Sequence, residues 1–246
     1  MLNIVIPMAG AGSRFAAAGF LDPKPLIPVF SQPMIELVIK NLTPKVAHRF
    51  IFIAQEEHFK KYELSRTIHS IVSDSEFVLI NELTEGAACT VLKAEMYINS
   101  NEPLMIANSD QFIDYSIDKY LENEQIADDG IIMTMLADDP KWSFIKLDPD
   151  GFVQEIAEKR VISNLATVGI YNFKRGSDFI SSAKEMISLN DRINGEFYVA
   201  PVYNYLIKKN LKFRNLTIGN LGSAMYGLGT PKDLDFFIKN FKGITR

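Results

Sequence analysis

The chain has 246 residues, 47% hydrophobic and 23% charged, with a net charge of −4. That length suffices for one large domain or two small ones with a substantial core, and the acidic balance argues against a general nucleic-acid or membrane-surface binder, which carries a basic face. Cys89 is the only cysteine, so an internal disulfide is excluded and a reduced, cytoplasmic setting fits.

The first apolar run, "NIVIP" within "MLNIVIPMAG", is far too short to span a membrane and has no basic leader, so it reads as a core strand. It runs into "AGAGSR". Gly10 and Gly12 permit unusual dihedrals and bare N–H groups that suit an anion. Ser13 adds a hydroxyl, and Arg14 a permanent cation. The same glycines also serve a plain strand-to-helix turn. No Gly-Lys-Ser/Thr follows, so this is not a P-loop, and Phe15 without a third glycine excludes the dinucleotide fingerprint. In "DPKPL", Pro23 and Pro25 stiffen the backbone around Lys24, which suits an aimed ammonium group. Taken alone, Lys24 reads rather as a solvated loop lysine.

"PMIELVIKNL" predicts a helix with Pro33 in its first turn. "RFIFIA", "EFVLI" and "PLMIAN" have the length of buried strands. "EGAACTVLKAEMYI" and "IDKYLENEQIA" suit helices. The alternation predicts right-handed βαβ units and a mainly parallel, Rossmann-like three-layer α/β sheet. Ligands bind such sheets beyond the carboxyl ends of the strands, where "AGAGSR" and "NSDQ" fall. Asp110 follows an apolar strand directly. It suits magnesium, which takes few carboxylates beside phosphate oxygens and water, or it caps the next helix.

The pattern changes after residue 129. "GIIMTML", "WSFIKLD", "FVQEIAEK" and "ATVGIYNF" read as strands in quick succession. Helices are expected over 176–189 and 197–208, and short strands near 211–217 and 223–227. "TPKDLDFFIKNF" predicts a closing helix capped by Thr230, with Pro231 in its first turn. With no repeat, low-complexity tract or linker, 1–246 reads as a single domain. Residues 1–129 form its nucleotide-binding half, and 130–246 complete the sheet as a β-rich acceptor and lid half.

His48, His58 and His69 have no metal-ligand spacing with a partner. Cys89 sits among small residues and reads as a packed thiol. Trp142 suits the core or a pocket wall, with core preferred, and "EEHFKKYE" suits a solvated helix face.

Eight segments in order, "PMAGAGSRF", "PKPLIPVFSQPMIE", "EGAACTVL", "ANSDQ", "EIAEKR", "ATVGIYNF", "NGEFYVAP" and "GLGTPKDL", resemble the nucleotidyltransferase superfamily that includes sugar-1-phosphate nucleotidylyltransferases. The resemblance implies a GT-A-like fold and transfer of a nucleoside monophosphate from a triphosphate to a phosphorylated acceptor, with release of pyrophosphate. It implies that Ala9, Gly10, Ala11, Gly12 and Ser13 line the nucleotide and its phosphates. Arg14 would take the leaving phosphates, and Lys24 the charge on the α-phosphate. Glu85, Gly86 and Ala87 would face the base, and Asp110 would hold Mg²⁺. Glu158 and Lys159 match the family's Glu-Lys pair at the acceptor, with Lys159 on its phosphate. Gly169, Asn194 and Glu196 would border the same pocket. A homodimer is compatible with the resemblance.

Two positions depart from the sugar-phosphate members. Gly227 stands where many of them place a second metal-binding aspartate, so the metal would take an extra water or another carboxylate such as Asp114. Arg160 replaces a common proline and suits an acceptor with more negative charge than a hexose phosphate. With "NSDQ" and "KWSF", these features resemble a capsule-associated branch that includes cytidylyltransferases acting on non-hexose phosphates such as phosphoglutamine. Two other readings stay open. A glycosyltransferase would show Asp-x-Asp where "NSDQ" lacks the first aspartate. A non-catalytic nucleotide sensor fits Gly227 but not an intact Lys24 and Asp110.

Overall fold

Alternate apolar residues on both sides of each strand decide the architecture. In β1 (Leu2–Pro7), Ile4 and Ile6 enter one buried cluster and Val5 the other. The computed structural model describes residues 1–123 and 128–241. After β1 come α1 (Ser13–Ala17), a 3₁₀ turn over Lys24–Leu26, and a ribbon of β2 (Pro28–Val29) and β3 (Gln32–Pro33). Then follow α2 (Met34–Leu42), β4 (His48–Gln55), α3 (Glu56–Lys61), α4 (Leu64–His69) and β5 (Ser75–Ile80). The first half continues with α5 (Ala87–Leu92), α6 (Glu95–Ile98), β6 (Leu104–Ala107), β7 (Gln111–Ile113) and α7 (Ile117–Glu122). The tail of the helix expected over "IDKYLENEQIA", residues 124–127, lies outside the described residues.

The second half runs β8 (Gly130–Leu136), β9 (Ser143–Leu147), β10 (Val153–Glu158), β11 (Leu165–Phe173) and α8 (Gly176–Ser188). It closes with α9 (Val202–Lys208), β12 (Phe213–Asn220), β13 (Met225–Gly227) and α10 (Pro231–Asn240). Thr230 caps α10, its hydroxyl accepting from Asp233 N at 3.1 Å.

The main sheet has the order β10-β9-β11-β6-β1-β4-β5, with β8 joining β11 and β12 pairing β8. Strands β6, β1, β4 and β5 are mutually parallel. The later strands enter through β11, antiparallel to β6, so both halves share one sheet. On one face Phe50, Phe52 and Met105 pack with α2, α4 and α7; on the other, Ile51, Ile53 and Ile106 pack with α5, α8 and α9. Burying such a side chain fully contributes about 1.5–3 kcal/mol, so both faces commit the register. Among the described residues, no helix is long and apolar enough to cross a membrane.

Two helices differ from expectation. "EGAACTVLKAEMYI" forms α5 and α6 separately, because Lys93 N and Ala94 N donate three residues back, to Thr90 and Val91, tightening the end of α5. The helix expected from 197 begins at Val202, because Phe197 is held as extended backbone: its N donates to Glu85 O at 2.8 Å, and its O accepts from Ala88 N at 3.0 Å.

Candidate active site

The carboxyl ends of β1 and β6 open into a cleft of about 710 Å³, a size typical of small-molecule sites. Pro7, Met8, Ala9, Gly10 and Ala11 form its wall beyond β1. Gln55, at the end of β4, holds that loop by donating from Nε2 to Ala9 O at 2.8 Å. Gly12 makes the turn into α1 at a φ of +62°, where a side chain is strained. A Cβ there would meet Lys24 Cβ at 3.7 Å, so the glycine loop packs directly on the lysine turn. Arg14 and Lys24 reach the cleft, whereas Gly12 and Ser13 support it from outside.

Lys24 Nζ donates to Asp110 Oδ2 at 2.9 Å, with both side chains about three-quarters buried. Asp110 follows β6, and Leu228 N donates to its carbonyl at 2.7 Å. Gly229 leaves room for the carboxylate: a Cβ there would stand 2.7 Å from Asp110 Oδ2. Asp114, the alternative carboxylate, is not on the cleft wall; it follows β7, and its amide donates to Ala224 O at 2.8 Å. A Cβ on Gly227 would face the Asp233 carboxyl group at 3.7 Å, but that group is engaged as a cap by Thr230 Oγ1 at 2.7 Å. Among the described residues, no three His, Cys, Asp or Glu side chains cluster as a metal cage. One ion-paired carboxylate fits a hard cation that arrives with phosphate oxygens and water.

The opposite wall draws on both halves. Gly86 and Ala87 line the cleft; Glu85 points away, its carboxylate taking Arg192 at 3.0 Å. At Gly86 a Cβ would stand 2.4 Å from Phe197 O, at a φ of +128°, so bare backbone is required there. Asn194 and Gly195 have φ of +51° and +83° and form a two-residue turn closed by Ile193 and Glu196. That geometry matches the Asn-Gly hairpin preference and leaves Asn194 and Glu196 on the wall. Gly169, at φ +77°, sits in an irregularity of β11, where a Cβ would clash with Asn108 Nδ2 at 2.2 Å.

Glu158 ends β10 and is buried. Ser143 Oγ donates to its Oε2. Burial pushes its carboxyl above the usual range, with the Glu196 charge adding a smaller push the same way. Tyr171 is pushed up to about 12, mainly by burial, and its hydroxyl pairs with Thr167 at 3.0 Å. Lys159 leaves the strand at φ +53° and lines the cleft. Arg160 does not: its guanidinium pairs with Glu155 at 2.7 Å outside the cleft, two-thirds exposed. Arg160 is therefore not the extra cation expected at the acceptor, although Lys141 does line the wall.

Residues 4–199 match the family described as nucleotidyl transferase. The chain belongs to this family. The bifunctional protein GlmU of Methanococcus aeolicus is 25% identical over 98% of this chain and 56% of its own length. A bifunctional sugar-1-phosphate nucleotidylyltransferase/acetyltransferase of Sulfurisphaera tokodaii is 27% identical over 84% of this chain and 48% of its own. The chain spans about half the length of these relatives. A solved nucleoside-diphosphate-sugar pyrophosphorylase from Vibrio cholerae RC9 superposes with a TM-score of 0.80 at 25% identity, covering 96% of this chain and 99% of that one. The inositol-1-phosphate CTP transferase from T. maritima shares the fold at a TM-score of 0.75 and 16% identity, over 99% and 98% of the two chains.

Several wall residues of this nucleotidyl transferase family member escaped the motif reading. Trp142, read as core, packs on the hydrophobic cluster with one side and lines the cleft with the other. Its Nε1 is buried without a protein partner, as is Gln111 Nε2. Thr84, Asn108 and Tyr198 also reach the wall. For Trp142 and Tyr198 the local pattern gives no deciding signal, since aromatic residues serve cores and pockets alike. His48, His58 and His69 take no part, and burial raises the Cys89 thiol pKa, in keeping with an inert role.

Proposed function

We propose that the protein transfers a nucleoside monophosphate from a nucleoside triphosphate to a small phosphorylated acceptor and releases pyrophosphate. The observation that carries this reading is the Lys24–Asp110 pair at 2.9 Å in the same cleft as Arg14 and Lys159. Two phosphate-bearing substrates need cations at both ends of one cleft. The first half would hold the triphosphate on the bare backbone of residues 9–11, with Gly12 and Ser13 supporting that loop, and the base against Gly86 and Ala87. Residues 130–246 would hold the acceptor through Glu158, Lys159, Gly169, Asn194 and Glu196. Asp110 would hold Mg²⁺, which supplies charge neutralisation on the phosphates when bound. Lys24 would stabilise charge on the α-phosphate, and Arg14 the leaving pyrophosphate. An acceptor phosphate is ionised at neutral pH, so in-line attack needs positioning rather than a general base.

CTP is the favoured donor, and supply of precursors for a surface polysaccharide in the cytoplasm the favoured setting. The support is the resemblance of "NSDQ" and "KWSF" to the capsule-associated branch; Arg160, bound to Glu155, adds none. Pyrophosphate release, measured for the four common triphosphates against sugar 1-phosphates and amino-acid-derived phosphates with Mg²⁺, tests the reading. Release only when a triphosphate and a phosphorylated acceptor are both present is expected. Release without acceptor, or with none of the pairs, counts against it.

A further inference from the structure

Tyr198 lies at the acceptor end of the cleft, half-buried, and belongs to none of the buried hydrophobic clusters. Its hydroxyl accepts from Lys159 Nζ, and the Glu196 carboxylate is near enough to act on it. The same ammonium lies 4.5 Å from the centre of its ring. A neutral phenol serves both neighbours at once, its lone pairs facing the ammonium and its O–H the carboxylate. Burial raises its pKa, and the nearby Glu196 carboxylate adds to the rise, so the proton stays on. Arg14 lines the same cleft and acts on it electrostatically.

Lys159 needs such a partner. Its backbone is fixed beyond β10, with a φ of +53° and its N donating to Trp142 O at 3.0 Å. Its four-carbon stem is exposed and free to rotate. Glu158, the neighbouring carboxylate, is occupied by Ser143. We propose that Tyr198 is the positioning residue of the acceptor site, its hydroxyl holding the Lys159 ammonium near Glu196 for a phosphate to meet. An ammonium has three donors, so it keeps Tyr198 while giving another to phosphate. This inference rests on the functional reading above.

Tyr198→Phe keeps the ring and removes the hydroxyl. Loss of one bond to a charged group predicts about a tenfold rise in acceptor KM, while triphosphate affinity and melting temperature stay within error of wild type. In a Lys159→Ala background, Tyr198→Phe should add nothing. Effects that multiply in the double variant, or an unchanged acceptor KM, overturn the proposal. Lysine-¹⁵N spectra read the contact without turnover: the Lys159 ammonium signal, assigned by Lys159→Ala, should shift or broaden in Tyr198→Phe. An unchanged signal also overturns it. If wild type turns over no pair of substrates, the functional reading fails and the spectra alone decide the role of Tyr198.

Discussion

At the donor end of the cleft, cations are aimed by the chain itself. Lys24 sits in a turn between two prolines, packs against Gly12 and is ion-paired with Asp110. At the proposed acceptor end, Lys159 is aimed by a residue distant in sequence, the Tyr198 hydroxyl on a segment stitched to Glu85 and Ala88. Two carboxylates, Glu158 and Glu196, stand beside it. The difference teaches that a fixed, shared donor can be bound by rigid local geometry. On the proposed function, the acceptor meets a hydrogen-bond network that tertiary structure assembles.

If that contrast is right, the largest loss comes from the rigid end. Lys24→Ala is expected to lower kcat by a factor of order 10²–10³, as removal of one preorganised charge-stabilising donor does, with triphosphate affinity little changed. Steady-state kinetics with equilibrium binding checks the split; a near-normal kcat would remove Lys24 from the reaction. Gly86→Ala attacks the joint between the two ends. Strain at φ +128° and a Cβ 2.4 Å from Phe197 O should cost roughly 2–4 kcal/mol of unfolding free energy, read from denaturant melts. Full stability would mean that the joint yields.

Smaller effects sharpen the comparison. Asp110→Asn keeps shape but removes the charge a hard cation prefers, so the Mg²⁺ concentration for half-maximal rate should rise several-fold. An unchanged titration would leave Asp110 only as the partner of Lys24.

Glu158 reports on the acceptor end through pH. Its folded-state pKa is raised by burial, so the native state holds a proton that the unfolded state releases first. Stability from this group is therefore present at low pH and lost as pH rises from the ordinary glutamate range through the folded pKa. Glu158→Gln should abolish that loss, flattening the melting-temperature profile as pH rises above the ordinary glutamate range, about pH 4. An unaltered profile would show that the carboxyl is not buried in solution. The least effect is expected from Arg160→Ala, whose exposed pair with Glu155 contributes little. A change in acceptor KM beyond twofold would return Arg160 to the site.

The same contrast explains what the sequence disclosed. Strands such as "NIVIP" and "RFIFIA" are apolar on both sides, so their burial in a parallel sheet was legible, and so was the placing of "AGAGSR" and "NSDQ" at its carboxyl edge. Lys24 was legible because prolines act locally. The end of β10 was not: Lys159 turns to positive φ and sends Arg160 to Glu155, a tertiary choice that alternation along a strand cannot announce. Trp142 and Tyr198 were hidden for a similar reason. Their pocket atoms are defined by what they face, and a half-buried aromatic has the same local pattern in a core.

Labelled triphosphate tests the central claim most directly. The protein would be mixed with Mg²⁺, a phosphorylated acceptor identified by pyrophosphate release, and CTP carrying ³²P at either the α or the γ position. Transfer of the nucleoside monophosphate predicts α label in the acceptor product and γ label in pyrophosphate, both lost in Lys24→Ala. Release of γ label as orthophosphate, or α label that never joins the acceptor, would contradict the account.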